Sequence, residues 1–137
     1  MYSKMILGIA AMIAAGSAQA GDAEAGKKLF EQRCRACHMI QADDGTPIQK
    51  GGKTGPNLYE VIGRTAGSEE GYRYKDSVVE AGQKGLVWDE ASFTAYVQDP
   101  SAFLKEYLGD GGARSGMTFK LRKGAEDVYA YLASVGE

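Results

Sequence analysis

Cys34 and Cys37 enclose two residues, and His38 follows at once, giving Cys34-Arg35-Ala36-Cys37-His38. Two thiols at this spacing can bond the two vinyl groups of a haem, and the adjacent imidazole can reach its iron. The chain has 2 cysteines and 1 histidine, so its thiol and imidazole chemistry is confined to these five positions. Three rival chemistries use the same residues. A structural zinc site needs four ligands, usually in pairs, and there is no second pair. A dithiol of the thioredoxin kind needs a strand-rich setting with the motif at a helix start. A Cys34–Cys37 disulfide suits an oxidising compartment but leaves His38 without a task.

The elements that must position this motif read as helices. Asp22 is a good N-cap for a helix running to about Cys34. Gly26 and Phe30 share a face of it, and a glycine inside a helix costs about 1 kcal/mol against alanine. Gly26 therefore implies close approach of another helix. The expected partner is the last helix, from about Gly124 to Ser134, where Val128, Tyr131, Leu132 and Val135 carry the spacing of a buried stripe. A third helix starts near Asp89, places Phe93, Tyr96 and Val97 on one face, and stops at Pro100. A fourth spans Ser101 to Leu108, and another short turn spans Lys75 to Ala81. Glycine-rich loops lie at residues 45–55 and 109–116. The expectation is an all-α domain of four to five short helices and long loops. So few helices bury little surface against one another, and a large flat cofactor would supply the missing core.

If a haem is bound, its second axial ligand can be sought by elimination. No other histidine exists, and the thiols are consumed. Met1, Met5 and Met12 lie in an N-terminal leader, and Met39 adjoins His38 and cannot reach the opposite haem face. Met117 remains, in Arg114-Ser115-Gly116-Met117-Thr118-Phe119. Two readings of Met117 stand. As a ligand it closes the iron, which then exchanges electrons only. As a core gap-filler it leaves five-coordinate iron, the state of a haem enzyme or gas sensor. No Ser-His-Asp or Cys-His nucleophile set can be assembled from the remaining residues.

The leader is read from Lys4, the apolar run Met5 to Ala15, and the small-x-small site Ala18-Gln19-Ala20. Residues 1–20 match a cleaved secretory signal peptide; the run falls short of the roughly 20 residues that span a bilayer. Residues 21–137 are then a single domain, expected to be soluble in a bacterial periplasm. The full chain carries 16 Lys and Arg against 18 Asp and Glu, and loss of Lys4 makes it more acidic, which gives no case for nucleic acid. Arg114, Lys120, Arg122 and Lys123 nevertheless form a stretch without an acid. Local basicity on an acidic chain makes a dipole that steers encounters.

Beyond the haem motif the chain resembles the class I c-type cytochromes, specifically the bacterial cytochrome c2 group related to mitochondrial cytochrome c. The resemblance rests on Gly26-Lys27-Lys28-Leu29-Phe30, Cys34 to His38, Thr54-Gly55-Pro56-Asn57-Leu58, Gly63-Arg64-Thr65, Tyr72-Arg73-Tyr74, Trp88, Tyr96, Pro100 and Met117, in that order. It implies the cytochrome c fold and one haem c attached through Cys34 and Cys37, with His38 and Met117 on the iron. It implies that the Pro56 carbonyl accepts a hydrogen bond from His38, a contact that fixes the tautomer of a ligating imidazole. Arg64, Tyr74 and Trp88 would hold the haem propionates, Tyr96 would bond near the Met117 sulfur, and Ser115 stands where the family usually has a threonine near a propionate. The 41–53 and 105–114 loops look longer than in the mitochondrial pattern. The implied function is a monomeric one-electron carrier that is not an enzyme. Its partners would be a membrane quinol–cytochrome bc complex and a photosynthetic reaction centre or terminal oxidase, met only transiently. Lys28, Lys50, Lys53, Lys75, Lys120 and Lys123, with Arg35 and Arg122, are the docking candidates.

Overall fold

Asp22 begins the fold as expected of a cap: its carboxylate accepts the backbone N–H groups of Glu24 and Ala25 at 2.9 and 3.3 Å. Helix α1 then runs Ala23–Arg33, with Cys34 as its C-cap. The computed structural model describes residues 21–135; the leader expected at 1–20 lies outside the described residues. Four further helices follow: α2 Asp76–Gln83, α3 Glu90–Gln98, α4 Pro100–Leu108 and α5 Ala125–Val135.

Each helix starts or stops for a local reason. Asp89 and Ser92 form a reciprocal capping box at the start of α3, satisfying two backbone N–H groups that the helix itself cannot. Asp99 ends α3 and also caps α4, accepting the Ala102 N–H at 3.1 Å. Pro100, whose ring blocks continuation of α3, is the first residue of α4, where its missing N–H costs nothing. Gly109 ends α4 in the left-handed conformation, φ 63°, as helix C-termini commonly do.

α1 and α5 cross at Gly26. A Cβ there would overlap the Asp127 carbonyl and lie 2.9 Å from the Tyr131 Cβ, so only glycine allows the approach. Phe30 meets Tyr131 with ring centroids 5.8 Å apart. Phe30, Val128, Tyr131 and Leu132 are buried there, and burial of such side chains contributes about 1.5–3 kcal/mol each. Val135, the last member of the expected stripe, is partly buried.

The first long loop departs from the expectation of irregular chain. Residues Ile40–Gln41 (β1) and Pro47–Gln49 (β2) pair antiparallel. Gly45, φ 89°, makes the turn between them, and the Asp44 carboxylate accepts the Thr46 N–H at 2.9 Å. Gln49 ties this hairpin to the helix crossing: its amide donates to Tyr131 Oη at 3.0 Å and to Glu31 Oε1 at 3.2 Å. No helix among the described residues is long and apolar enough to cross a membrane.

Candidate functional site

The Cys34–His38 motif is a turn built on the end of α1. The Arg35 and Cys34 amides donate back to the Phe30 carbonyl, and the His38 amide to the Cys34 carbonyl at 2.9 Å. The chain then doubles back: Gly52 N–H donates to the Arg35 carbonyl at 2.9 Å and Gly55 N–H to the Cys37 carbonyl at 2.7 Å. A side chain on Gly55 would run into the His38 ring. The glycine loop thus presses backbone against the motif and holds the imidazole in one orientation.

His38 Nδ1 lies 2.9 Å from the Pro56 carbonyl. A carbonyl can only accept, so Nδ1 carries the proton and Nε2 keeps its lone pair. Burial lowers the His38 pKa below its ordinary value, the Pro56 bond opposing in part. The neutral ring is the form that ligates a metal. Burial, with Cys37 adding to it, pushes the Cys34 thiol up to about 11. Redox-active dithiols depend on a lowered thiol pKa, so this environment opposes the dithiol reading. Neither cysteine is paired in a disulfide. Among the described residues, no group of three His, Cys, Asp or Glu side chains could hold a metal ion, which leaves zinc without ligands.

These residues line one wall of a cavity of about 510 Å³, within the range of small-molecule sites. Met117 lines it too, as do Arg64, Tyr74, Trp88 and Tyr96; Met39 does not. The buried side chains Phe93, Val97, Leu121 and Val128 supply an apolar lining. The two thiols, the imidazole and the thioether therefore share one hollow, although 79 positions separate His38 from Met117.

The Met117 segment is held by hydroxyl groups. Ser115 is buried; its Oγ pairs with Tyr96 Oη at 2.5 Å and accepts the Met117 N–H at 3.0 Å. Its own N–H donates to Ser101 Oγ at 3.0 Å, and the Arg114 N–H donates to Ser77 Oγ at the same distance. Burial raises the Tyr96 pKa, with the Ser115 bond opposing, so the phenol stays protonated. The hydroxyl of Tyr96 thus meets Ser115, one step from Met117, where the resemblance suggested a contact near the sulfur. Ser115 is a link between α3 and the Met117 backbone.

Arg64 and Tyr74 stand together at another edge. Arg64 Nη1 donates to Glu69 Oε2 at 2.7 Å and to the Tyr59 carbonyl at 3.2 Å, and Nη2 to the Asn57 carbonyl at 3.1 Å. Tyr74 Oη accepts the Glu69 N–H at 3.1 Å. Trp88 is buried in the wall, and its indole N–H meets no acceptor among the described residues. A cavity wall that offers an unused indole donor and a guanidinium fits a group carrying carboxylates. Two contributors received no role from the sequence: Glu69, and Tyr72, which packs edge-on to Tyr74 at 4.7 Å and donates to the Thr54 carbonyl at 2.7 Å. The Tyr72-Arg73-Tyr74 motif marked both rings in the sequence, but only Tyr74 was assigned a task there.

The docking candidates divide. Lys75 lines the cavity, and its Cγ would lie 3.2 Å from a Cβ on Gly116. Lys28, Lys50, Lys53, Lys123, Arg35 and Arg122 are exposed. Lys120 instead pairs with Asp99 at 3.3 Å, so the acid-free stretch in sequence is not acid-free in space.

A helical fold wrapped around one hollow, with a Cys-x-x-Cys-His turn on one side and a methionine loop facing the same space, defines a c-type haem protein. The chain belongs to the cytochrome c family, whose sequence profile matches residues 23–136. Among curated proteins it is 57% identical over 127 residues to cytochrome c2 of Rhodobacter capsulatus, covering 93% of this chain and 92% of that one. It is 55% identical over 117 residues to cytochrome c-550 of Paracoccus pantotrophus, covering 84% and 87%. Among solved structures, cytochrome c2 from Rhodobacter capsulatus superposes with a TM-score of 0.83 at 57% identity, over 85% of this chain and 100% of that one. Ferric cytochrome c-550 from Paracoccus versutus gives 0.82 at 51%, over 85% and 99%. The fold is the all-α cytochrome c fold, the cofactor is covalent haem c, and the chain is an electron-transport protein of the class I type.

Proposed function

We propose that this protein is a periplasmic one-electron carrier, exported by a leader over residues 1–20, whose single haem c is attached through Cys34 and Cys37 and ligated by His38 and Met117. The observation that carries the reading is the placement of His38 and Met117 on the walls of one apolar cavity. The bound haem supplies an iron that gains or loses one electron. The protein's own residues do the rest. Pro56 fixes the His38 tautomer, Ser115 and Tyr96 hold the Met117 backbone, and the apolar lining excludes water. Arg64, Tyr74 and Trp88 offer donors to the haem carboxylates. Held by both His38 and Met117, the iron would have no open site for oxygen or peroxide, which would make the protein a carrier and not an enzyme.

The carrier works as a monomer, taking electrons from a membrane quinol–cytochrome bc complex and passing them to a photosynthetic reaction centre, a terminal oxidase, or both. Exposed Lys28, Lys50, Lys53 and Lys123, with Arg35, Arg122 and Lys75, favour fast and salt-sensitive meetings with acidic partner surfaces. Such contact with the membrane is peripheral and brief. Met117→Ala is expected to lower the reduction potential and let the reduced protein bind carbon monoxide at neutral pH. An unchanged potential, or a native protein that already binds carbon monoxide, would replace this reading with five-coordinate haem chemistry.

A further inference from the structure

Arg64 separates two hollows. One is the cavity shared by His38 and Met117; the other is an open depression lined by Asp43, Tyr59, Glu60 and Glu69. Glu69 lines only the outer one. The Arg64 and Glu69 side chains are 17% and 27% exposed, so their ion pair is screened less than a surface pair. A guanidinium has five N–H donors. Three are taken, by Glu69, Tyr59 and Asn57. The Nε–H and one Nη2 hydrogen meet no acceptor among the described residues. Glu69 is itself held at two points: its carboxylate on Arg64 and its backbone N–H on Tyr74 Oη.

We propose that Glu69 is a positioning residue for the haem. It grips Nη1 of the Arg64 guanidinium so that the unused N–H donors serve the haem carboxylates, and it thereby holds the reduction potential down. This rests on the haem reading above. An anion beside the cofactor favours the oxidised, more positive state, and an Arg64 left unpaired favours the reduced one. Glu60 and Asp43 also face the pair across the outer hollow, and Tyr59, Tyr72 and Tyr74 pack near it; none of these bonds the guanidinium through its side chain.

The experiment is a double-variant cycle in haem-loaded protein, read as reduction potential. Glu69→Gln is expected to shift the potential upward, and the shift is expected to shrink when Arg64→Gln is already present. Glu69→Asp keeps the charge but shortens the reach, so it should leave the potential above the native value; it also serves if the Gln variant does not fold. Equal shifts in both Arg64 backgrounds, no shift at all, or full restoration by Asp would each overturn the proposal. Native protein lacking the mass of a haem would sink the haem reading and this inference with it. Haem-loaded variants with additive shifts would sink this inference alone.

Discussion

On the Cys34–His38 side of the cavity, backbone is packed on backbone; on the Met117 side, hydroxyl groups hold the chain. Gly51, Gly52 and Gly55 lie so close to the motif that a side chain at any of them would overlap it. The opposite segment hangs on Ser77, Ser101, Ser115 and Tyr96 through bonds of 2.5–3.0 Å. Close-packed backbone has no way to adapt, because nothing can rotate aside. A hydroxyl network can be lost one bond at a time. The difference implies a stiff half that fixes the imidazole and a half able to release its thioether while the fold stands.

The harshest way to test that contrast is Gly55→Ala. The added methyl enters the His38 ring, and overpacking of this kind costs about 1–3 kcal/mol or more. The yield of haem-loaded protein should collapse; a normal yield would show that the stiff wall yields after all. Ser115→Ala is the matched probe on the other side. It leaves Tyr96 Oη and the Met117 N–H without their partner, a loss of about 1–3 kcal/mol. If Met117 ligates the iron as proposed, the absorption band of that bond should fade at a lower temperature than that of global unfolding, and Ser115→Thr should restore it. Coincident losses would mean that the two walls fail together.

Smaller effects sharpen the picture of the surface. Replacing Lys120 and Lys123 by alanine should slow association with an acidic partner at low salt, most of it through Lys123, because Lys120 is shared with Asp99. Exposed pairs of this kind contribute about 0–1 kcal/mol, so Asp99→Asn should speed association only a few-fold. Stopped-flow rates across a salt series check both. The mildest effect is on pH. The Ser92 backbone and side-chain bonds hold the Asp89 carboxyl below the ordinary carboxylate value. The folded pKa lies below the unfolded one, so the stabilisation is present above the unfolded value and is lost as pH falls through the folded value. Asp89→Asn keeps a good cap and should flatten the melting-temperature curve in the acid range only.

What could be read in the sequence was whatever is local or counted. Cys34 to His38 is contiguous, and elimination led to Met117 because the chain has so few candidate ligands. α1 and α3 carry their N-caps in sequence, α3 and α5 their apolar spacing, and Gly26 announced the helix crossing. The 40–49 hairpin was legible in principle from Asp43-Asp44-Gly45, a turn signal between short apolar runs; the surrounding glycines masked it. Glu69 was not legible. It sits in a loop without periodicity, and its partners Arg64 and Tyr74 meet it only through the path of the folded chain. The Tyr96–Ser115 contact spans a helix end, all of α4 and a glycine loop, and the Lys120–Asp99 pair likewise exists only in space.

The Asp22 N–H donates to Asp127 Oδ1 at 2.8 Å across 105 positions of chain, beside the Gly26 crossing. Apart from Arg33 of α1 and Val128 and Leu132 of α5, every residue that lines the cavity lies between these two helices in the sequence. Their contact therefore closes one large ring of chain, and the entropy of closing a ring grows only slowly with its length, about 0.6 kcal/mol per doubling. Once α1 and α5 lock, the intervening segments search a much smaller space for their places. The helix pair behaves as a clasp: neither helix buries its face without the other, so they form and open together. Loss of the hydroxyl bonds that hold the Met117 segment would leave that ring shut.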